Sequence, residues 1–520
     1  MPSERRLHPL SILFALGDQL RAFALPAIAL FFTAGSKGWG WEVWTLPLLI
    51  PSLVAAVLRY VSFRYRYEPG ELVIRSGILF RNERHVPYAR IQNLDAVQNV
   101  LHRLFGVVEV RVETGAGTEP EARMRVLPLS ALQEMRAHVF GNRAVEPIVE
   151  AAPGETQAST APAVRTLLHL TPRELAICGL IQNKGGVLLA AGLGLLWEWN
   201  VADRMFGWLP IPDWRPELPE RLDPDRLEAV GRGALHDAIV AFTGAAGSLP
   251  LAILAAALFV LMLLALVRLL SVVWTLVQLY DFRLTRTGED LRTEYGLLTR
   301  VAATVPLRRV QTLTIREGVL HRLFGYTSVR VDSAGGDGGE TAANRAWIAP
   351  IVRRAALPAL VRGVLAGVDV DALDWQPVHP RAFARRLRRS VVLSALVLPA
   401  VVGPLGWWAL AIFAAAVAWS AVHARHWIAW LGWTGTDHIM AMRSGWLWRQ
   451  ITIAPLTKLQ VISTHATPFD RRAGMATLRV DTAGAKDATH RIVVPYLPAD
   501  TAAGLQAVLT RHAAATEFAW

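Results

Sequence analysis

Long apolar blocks alternate with polar segments along this chain of 520 residues. Two of the blocks, residues 245–278 and 390–422, carry almost no charge over a length that helices of water-soluble proteins rarely reach. A run of about twenty apolar residues is long enough to cross the hydrocarbon core of a bilayer as a helix. Both blocks are therefore predicted to be embedded in a membrane.

Three weaker apolar segments lie at residues 10–33, 42–62 and 175–197. The 390–422 block is interrupted by prolines and glycines, and it is long enough to form a tight hairpin of two short spans. Counted together, these segments predict six membrane helices in three pairs. The interrupting residues are Pro399, Gly403, Pro404 and Gly406.

Between the apolar blocks, the pattern changes to the two-residue alternation of a half-buried β-strand. Val108, Val110 and Val112 fall on one face of such a strand, while Glu109 and Arg111 fall on the other. One face of the strand is therefore predicted to lie in a core. The same scheme recurs at Val329 and Val331 and at Leu478 and Val480.

This strand belongs to a segment of about forty residues that occurs three times, each time directly after apolar sequence. The copies align without a gap, and each is followed by a helical stretch. We predict that they are three copies of one β-rich module with a C-terminal helix. The shared positions are Gly77, Pro87, Gln92, Gly106 and Arg111; Gly296, Pro306, Gln311, Gly325 and Arg330; and Gly445, Pro455, Gln460, Gly474 and Arg479.

These patterns predict an α+β integral membrane protein in which each of three transmembrane helix pairs is followed by a β-rich body. We expect the three bodies to be separate domains on one side of the bilayer. The predicted order is a juxtamembrane helix and first helix pair (1–62), module 1 (63–147), a linker (148–166), a second helix pair with an extracytoplasmic loop at about 198–244 (167–279), module 2 (280–370), a juxtamembrane helix and third helix pair (378–424) and module 3 (427–515).

The order of features within each repeat resembles that of one known family. Two membrane helices precede a strand, a glycine, a second strand, a Pro-x4-Gln spacing, another glycine and an Arg-Val-acidic strand, and a helix closes the unit. In this order the chain resembles the bacterial pleckstrin-homology (PH)-like membrane proteins of the YdbS/YdbT type. Over nearly its whole length it is most similar to the longer, YdbT-like members with three units. The resemblance implies that each module is a PH-like barrel or sandwich capped by a helix, and it implies no catalytic residues.

The third copy departs from the other two at one motif. His-Arg-Leu-Phe at 102–105 and 321–324 is replaced by Asp470, Arg471, Arg472 and Ala473. We expect the surface that this motif forms to be altered in module 3.

Charge placement predicts the orientation of the chain in the membrane. Arginines flank the predicted spans at 5–6, 59–66 and 381–389, whereas the 198–244 loop is rich in acidic residues. Basic residues near spans favour the cytoplasmic side, so both termini and all three modules are predicted to face the cytoplasm from a multi-pass position in the plasma membrane. The formal net charge of +12 then indicates attraction to an anionic inner leaflet. Since the basic residues flank membrane helices, nucleic acid is not expected as a partner.

Composition and motifs exclude several kinds of chemistry. Hydrophobic residues make up 53% of the chain and its mean hydropathy is +0.31, both high for a soluble protein. The single cysteine, Cys178, lies in an apolar segment, which excludes an internal disulfide and a thiolate metal site. No signal-cleavage pattern is present, so the first helix is expected to be retained. Without a GxSxG, HExxH or phosphate-loop motif, the chain is predicted to be no enzyme and to hold no metal or cofactor.

Three basic positions recur in register without a fixed acidic neighbour, and these are the candidate lipid- or ligand-binding residues. Arginine can hold a phosphate or carboxylate through two N–H groups, so a ring of such residues at a module's open end would suit a lipid head group or an acidic peptide. A solvated face is the alternative interpretation. The candidates are Arg81, Arg90 and Arg103 in module 1, Arg300, Arg309 and Arg322 in module 2, and Arg449, Lys458 and Arg471 in module 3.

The other shared positions predict structural roles. Glycines are expected at turns or bulges, and prolines at a strand edge or start. The glutamines are interpreted as buried amides that satisfy loop backbone, with ligand contact as the alternative. Ion pairs along the strand are favoured for Arg111 with Glu113, Arg330 with Asp332 and Arg479 with Asp481.

Polar residues follow the start of the first two helix pairs at Asp18, Gln19 and Arg21 and at 182–184. We favour a helix lying at the head-group level, because Asp18 and Arg21 are one turn apart and the basic side chains can extend to the interface. An intramembrane ion or proton path is the alternative. Tryptophans that are expected to anchor the helices at the interface stand at 39, 41, 44, 197, 199, 407 and 408.

The combined hypothesis is a non-enzymatic membrane scaffold, a component of envelope homeostasis, whose cytoplasmic modules bind something at the inner surface. The expected partners are membrane lipids, a membrane protein or further copies of the same chain. The alternative is a transporter or exporter that moves a lipid or a small amphiphile.

Overall fold

The computed structural model describes residues 4–14, 54, 57–58, 60–77, 81–88, 91–114, 122–140, 164–187, 189–190, 249–333, 347–406, 408–482 and 491–515. The chain divides into two compact units. Unit 1 comprises Met1–Ala22, Gly40–Thr171 and Asp281–Trp520, so it contains all three modules. Unit 2 comprises Phe23–Trp39 and Pro172–Tyr280.

Module 1 is built from antiparallel strands and two helices. Apolar residues alternate with polar ones along the strands, so each sheet buries one face. The buried faces meet in a core that includes Leu72, Val110 and Leu132. The elements are β1 (Arg5–Arg6), β2 (Arg64–Glu68), β3 (Glu71–Ser76), β4 (Asn82–Pro87), β5 (Ile91–Gln98), α1 (Val100–Leu104), β6 (Val107–Thr114), β7 (Ala122–Pro128) and α2 (Leu129–Phe140).

The described part of unit 2 includes two helices, α3 (Pro172–Ile181) and α4 (Leu249–Gln278). Gly179 of α3 lies close to the backbone of α4 at Val272, and Gly185, which follows α3, lies so close to α4 that a Cβ there would overlap the carbonyl oxygen of Val267. With 10 residues, α3 is too short to cross a bilayer. The predicted single span at 175–197 is therefore wrong at its start, since the helix ends at Ile181.

Module 2 repeats the order of module 1. Its core includes Leu291, Leu313 and Ile348, none of which is exposed. The elements are β8 (Val164–His169), β9 (Arg283–Thr287), β10 (Asp290–Tyr295), β11 (Arg300–Pro306), β12 (Val310–Glu317), α5 (Val319–Phe324), β13 (Tyr326–Ser333), β14 (Trp347–Arg353) and α6 (Leu357–Val364).

Module 3 follows a helical hairpin. Its core includes Met440, Leu478 and Val494. The elements are β15 (Gln376–Pro377), α7 (Ala382–Leu405), α8 (Trp408–Trp430), β16 (Gly432–Gly435), β17 (Ile439–Ser444), β18 (Arg449–Pro455), β19 (Leu459–His465), α9 (Pro468–Arg472), β20 (Met475–Thr482), β21 (Ile492–Pro498) and α10 (Ala499–Ala515).

A short strand before each set of membrane segments adds to the first sheet of the module that follows. β1 pairs with β2, β8 with β9 and β15 with β16. Because β8 spans Val164–His169, it overlaps both the predicted linker (148–166) and the start of the predicted second helix pair (167–279). The alternating pattern of this strand is too short to be distinguished from its surroundings in the sequence.

The modules are joined by β-sheet, which corrects the expectation of separate bodies. β5 of module 1 pairs with β11 of module 2, and β12 of module 2 pairs with β18 of module 3. The result is two seven-stranded sheets, β7-β6-β5-β11-β10-β9-β8 and β14-β13-β12-β18-β17-β16-β15, flanked by sheets of four and three strands. An edge strand has unpaired N–H and C=O groups, and the next module satisfies them.

Two described helices are long and apolar enough to cross a membrane, Ile253–Gln278 in α4 and Trp408–Trp430, which is α8. Many of their large apolar side chains are exposed, including Phe259 at 60% and Trp419 at 57%. Continuous apolar surface of this length is expected to face lipid, since a soluble protein would bury it. Residues 10–33 and 42–62 lie almost entirely outside the described residues, so the arrangement of three helix pairs stays a prediction.

The predicted hairpin in the 390–422 block corresponds to α7 and α8, which reverse direction at Gly406 (φ +54°). Both helices are longer than predicted. α7 begins at Ala382, so it includes the arginines at 385–389, and α8 continues to Trp430.

The shared glycines have positive φ angles, as predicted for turns: 90° at Gly77, 115° at Gly296 and 100° at Gly445. A Cβ on Gly296 would also overlap the carbonyl oxygen of Thr299. The prolines end strands β4, β11 and β18, so of the two predicted positions the strand start is wrong, whereas Pro87 does lie on an edge strand, β4. At the strand end, the missing N–H of proline interrupts no further pairing.

Replacing Gly296 by alanine should destabilise module 2. Positive φ and the overlap with Thr299 act together, so we expect the free energy of unfolding to fall by about 2–3 kcal/mol. Gly288→Ala is the matched control, because Gly288 has φ +61° with open space around it. The control should cost about 1 kcal/mol. Denaturant unfolding of the full chain in detergent measures both, and equal losses would contradict the steric argument.

Candidate functional site

The first feature of the site is a hydrogen bond at each junction between modules. Arg103 in α1 donates from Nη1 to the carbonyl oxygen of Leu297 at 3.0 Å, and Arg322 in α5 donates to that of Trp446 at 2.9 Å. Leu297 and Trp446 each follow the shared hairpin glycine of the next module. The motif His-Arg-Leu-Phe-Gly therefore binds one module to the next, a role that the sequence alone did not reveal.

The same short helices present large apolar side chains to the surroundings. Leu104 of α1 and Leu323 of α5 are each 75% exposed, and Trp448 in the hairpin beside α5 is also 75% exposed. Exposed apolar residues next to arginines form an amphipathic edge that suits the boundary between head groups and acyl chains.

In module 3 the equivalent helix, α9, contacts the helix that leads into the membrane hairpin. Arg385 of α7 donates from Nε to Oδ1 of Asp470 at 2.9 Å, and the guanidinium also lies 5.3 Å from the ring of Phe469. Asp470 and Thr467 cap α9 reciprocally. Asp470 replaces the histidine of the other copies, so the altered motif ties module 3 to α7.

Module 1 makes the corresponding contact with different chemistry. Phe14 packs on His102 with ring centroids 4.1 Å apart. By the repeat, Phe14 corresponds to Arg385 and His102 to Asp470. An aromatic pair in one copy has thus become an ion pair in another.

A cluster of arginines and tryptophans surrounds the C-terminal end of α8; we call it the Arg–Trp cluster. The guanidinium carbons of Arg443 and Arg449 lie 4.8 and 4.1 Å from the ring centre of Trp430. Arg386 of α7 lies 3.9 Å from that of Trp427, and Arg443 also contacts Trp375 at 5.1 Å. Such cation–π contacts hold the arginine side chains against the tryptophan rings. The partner in each contact is an aromatic ring and not a carboxylate, so the contact does not neutralise the positive charge.

Trp446 connects the junction between modules 2 and 3 to helix α8. Its ring stacks on His426 at 4.9 Å and contacts His423 and Trp419 at 5.7 and 5.8 Å. The residue that accepts the hydrogen bond from Arg322 therefore also packs on the membrane helix. Junction, Arg–Trp cluster and α8 form one continuous region of unit 1.

The positive charges in this region oppose one another. Burial lowers the pKa of Arg443, and the neighbouring Arg449 lowers it further. Burial also lowers the pKa of Arg449, with a second contribution from Arg322, while Glu317 opposes both. An anion placed among these guanidinium groups would relieve the repulsion.

The predicted basic residues have different surroundings in the described part of the chain. Arg322 of module 2 and Arg449 of module 3 come together across a junction. In module 1, Arg81 is exposed just before β4, and Arg90 lies outside the described residues. Arg300 contacts Glu294 at 3.4 Å at the start of β11, Arg309 and Lys458 lie in the short turns at 307–309 and 456–458, and Arg471 is exposed on α9.

The shared arginines and glutamines predicted to have structural roles differ in their partners from module to module. Arg111 does form an ion pair, with Glu109 at 2.9 Å, but the side chain of Glu113 lies outside the described ones. Arg330 lies 5.6 Å from the ring of Trp347, while Asp332 accepts a hydrogen bond from Thr312. Gln311 is buried and donates to the carbonyl of Arg309 at 3.4 Å, whereas Gln460 is exposed.

The polar residues at 182–184 bond to α4 within unit 2. Nζ of Lys184 donates to Gln278, the last residue of α4, at 2.9 Å. Ser271 donates to the carbonyl of Gln182 at 2.7 Å. Since the lysine side chain extends to the end of α4, its placement supports the head-group interpretation. Asp18, Gln19 and Arg21 lie outside the described residues.

Comparison with known proteins assigns the family. A sequence model described as "Bacterial PH domain" matches residues 13–143, 241–361 and 392–513, once for each module. The chain belongs to the bacterial PH domain family. Over 493 residues the chain is also 22% identical to the UPF0699 transmembrane protein YdbT of Bacillus subtilis (strain 168), and this alignment covers 92% of each of the two proteins. No solved structure matches. The predicted resemblance is confirmed, and the chain is a membrane protein with repeated PH-like modules.

Asp470→Asn should destabilise module 3 in a pH-dependent way. Burial alone would raise the pKa of Asp470, but hydrogen bonds from Thr467 and Arg385 outweigh it and hold the pKa below its ordinary value. The ion pair therefore stabilises fully above about pH 4 and loses its contribution as the pH falls through the folded-state pKa. We expect the variant to cost about 2 kcal/mol at pH 7 and to be less sensitive to acid.

The control for this variant is Asp481→Asn, since Asp481 pairs with Arg491 at the surface at 3.4 Å. Exposed pairs contribute at most about 1 kcal/mol. Unfolding curves of the full chain between pH 3 and pH 7 measure both variants. If Asp481→Asn cost as much as Asp470→Asn, the contact with α7 would have no special role.

Arg322→Ala should loosen the junction between modules 2 and 3. Loss of the hydrogen bond to Trp446 is expected to raise the hydrogen-exchange rate of amides in β12 and β18 by roughly tenfold. The control is Arg362→Ala, which removes an exposed arginine that contacts Asp369 at 3.4 Å. Exchange that rises equally in both variants would argue against a junction role for Arg322.

Proposed function

We propose that this protein is a non-enzymatic, multi-pass scaffold of the cytoplasmic membrane whose joined PH-like modules bind anionic lipid head groups along the inner surface. The observation that carries the proposal is the Arg–Trp cluster at the end of α8. There, Arg386, Arg443 and Arg449 stack on tryptophans of a lipid-facing helix and its surroundings.

The chemistry of this cluster suits phospholipid. Tryptophan is favoured where a membrane helix meets the head groups, and arginine can hold a phosphate through two N–H groups. Leu323 and Trp448, each 75% exposed, supply apolar surface at the same junction. A head group would thus find cations at its phosphate and apolar contacts at its acyl chains.

The cytoplasmic orientation rests on the distribution of charge. Arginines flank the predicted spans at the N-terminus, in the segment after residue 58 and at the start of α7, whereas the sequence between the predicted third and fourth spans, 198–244, is rich in acidic residues. Anionic lipid on the cytoplasmic leaflet would then be the natural partner of the basic cluster.

Transport is not proposed as a second function. Within the described residues, Nζ of Lys184 bonds to Gln278 and its backbone N–H bonds to Ser271. Both bonds tie the segment to α4, as expected of a contact between helices at the head-group level. An enzymatic role is not proposed either, because the sequence contains no GxSxG, HExxH or phosphate-loop motif.

The double variant Arg443→Gln with Arg449→Gln should weaken binding of anionic lipid. Each cation near an anionic surface contributes about 1 kcal/mol, so the loss should be roughly thirtyfold in affinity. The measurement is the thermal stabilisation of the full chain in detergent on addition of phosphatidylglycerol, with phosphatidylcholine as the neutral comparison. Stabilisation by phosphatidylglycerol should fall with added salt.

The matched control is Arg491→Gln with Arg511→Gln, which removes two exposed charges of module 3 outside the Arg–Trp cluster. This control should keep the preference for phosphatidylglycerol. An equal loss in both variants would indicate general charge attraction, and stabilisation that is the same with both lipids would contradict the proposal.

A further inference from the structure

The two junctions between modules use the same strands in the same register. Gln98 lies opposite Arg300 in the first junction, and Glu317 lies opposite Arg449 in the second. In both cases the first residue stands six places after the shared glutamine and the second stands four places after the hairpin glycine. The junction is therefore a repeated mode of association between the fifth strand of one module and the fourth strand of the next.

Each end of the array has one half of such a junction. β4 of module 1 corresponds to β11 and β18, and it is the terminal strand of its sheet. β19 of module 3 corresponds to β5 and β12, and it is likewise terminal. β12 is buried over its first six residues, whereas β19 is mostly exposed, with Val461 at 57%. Both edges are thus uncovered within the described residues.

The arginine that bonds across the junction is also retained at the C-terminal end. Arg471 occupies the position of Arg103 and Arg322, although the motif around it has changed. It is exposed on α9. At the other end of the array, the hairpin of module 1 keeps its glycine, Gly77, with φ +90°. Donor and hairpin are both present for a third junction.

We propose that module 3 of one chain joins module 1 of a second copy through antiparallel pairing of β19 with β4. The register of the internal junctions places Ala466 opposite Arg81, His465 opposite Asn82, and Ser463 opposite Arg84. No two like charges face each other in these pairs. Since the two surfaces differ, the contact is heterologous and produces closed rings or open chains of copies.

The charges on β4 do not prevent this contact. Glu83 pairs with Arg75 at 2.9 Å and His85 pairs with Glu71 at 2.9 Å, both within the same sheet. These side chains stand on the faces of the sheet, so the backbone of the edge strand stays open to pairing. β19 contains no lysine, arginine or proline, the residues that usually protect an edge.

The helix α10 of the same chain packs against β19 and competes with a second copy for this strand. It contacts that strand, and Thr464 donates to Gln506 of α10 at 2.8 Å. Ser463 and His465 point to the opposite face of β19 and are exposed. The test therefore uses a residue on the face that α10 does not contact.

Cross-linking in native membranes tests the proposal on the full chain. Two differently tagged chains, both with Cys178→Ala, carry Asn82→Cys in one and His465→Cys in the other, and are co-expressed and oxidised. The expected product is a cross-linked dimer with both tags, several-fold more abundant than the dimers that either variant forms with itself. Absence of the mixed dimer from chains that unfold like the parent would overturn the proposal. A dominant His465→Cys self-dimer would also overturn it, because two β19 edges would then meet.

Arg471→Ala tests the junction hydrogen bond in the same assay. It should weaken the association about tenfold and lower the yield of mixed dimer. Arg472→Ala is the matched control, since Arg472 is also exposed on α9 but corresponds to Leu104 and Leu323 in the other modules. The control should leave the yield unchanged. Equal losses in the two variants would mean that charge alone holds the chains together and would count against the proposed junction.

Discussion

Backbone groups at a sheet edge are available for pairing with another strand, and such pairing organises unit 1. A PH-like module with two sheets has strands whose outer N–H and C=O groups are unpaired. Here β11 satisfies those of β5, and β18 satisfies those of β12. Module 2 is therefore paired at both junctions, and the positions of Arg322, Trp446 and Arg449 follow from that pairing.

The sheet junction also determines what lies beside the membrane helix. Pairing of β12 with β18 places α5 next to the hairpin of module 3, and Trp446 in that hairpin packs on His426 of α8. Within module 3, Arg443 and Arg449 stack on Trp430 at the end of α8. A basic, aromatic region therefore lies at the end of α8, and Arg322 of module 2 adds a further positive charge beside it.

The three copies show how a repeated position acquires different partners. Phe14 packs on His102 in module 1, while Arg385 pairs with Asp470 in module 3. In module 3 the His-Arg-Leu-Phe motif is absent. Its replacement by Asp-Arg-Arg-Ala instead provides a carboxylate for α7, and the arginine stays in place.

The sequence by itself determined the repeat, the β-rich modules, the membrane character and the hairpin of α7 and α8, because these depend on local periodicity and on long apolar runs. It also indicated the turns at Gly296 and Gly445, where only glycine fits a positive φ. It did not reveal β8 as part of module 2, the fusion of the sheets or the partners of Arg103 and Arg322. Those features depend on which edge strands meet, and the pairing joins residues far apart in the chain whose side chains alternate in the same way in every copy. Only the tertiary structure could select among equivalent edges, because a hydrogen-bonded edge leaves no distinctive residue pattern along the chain.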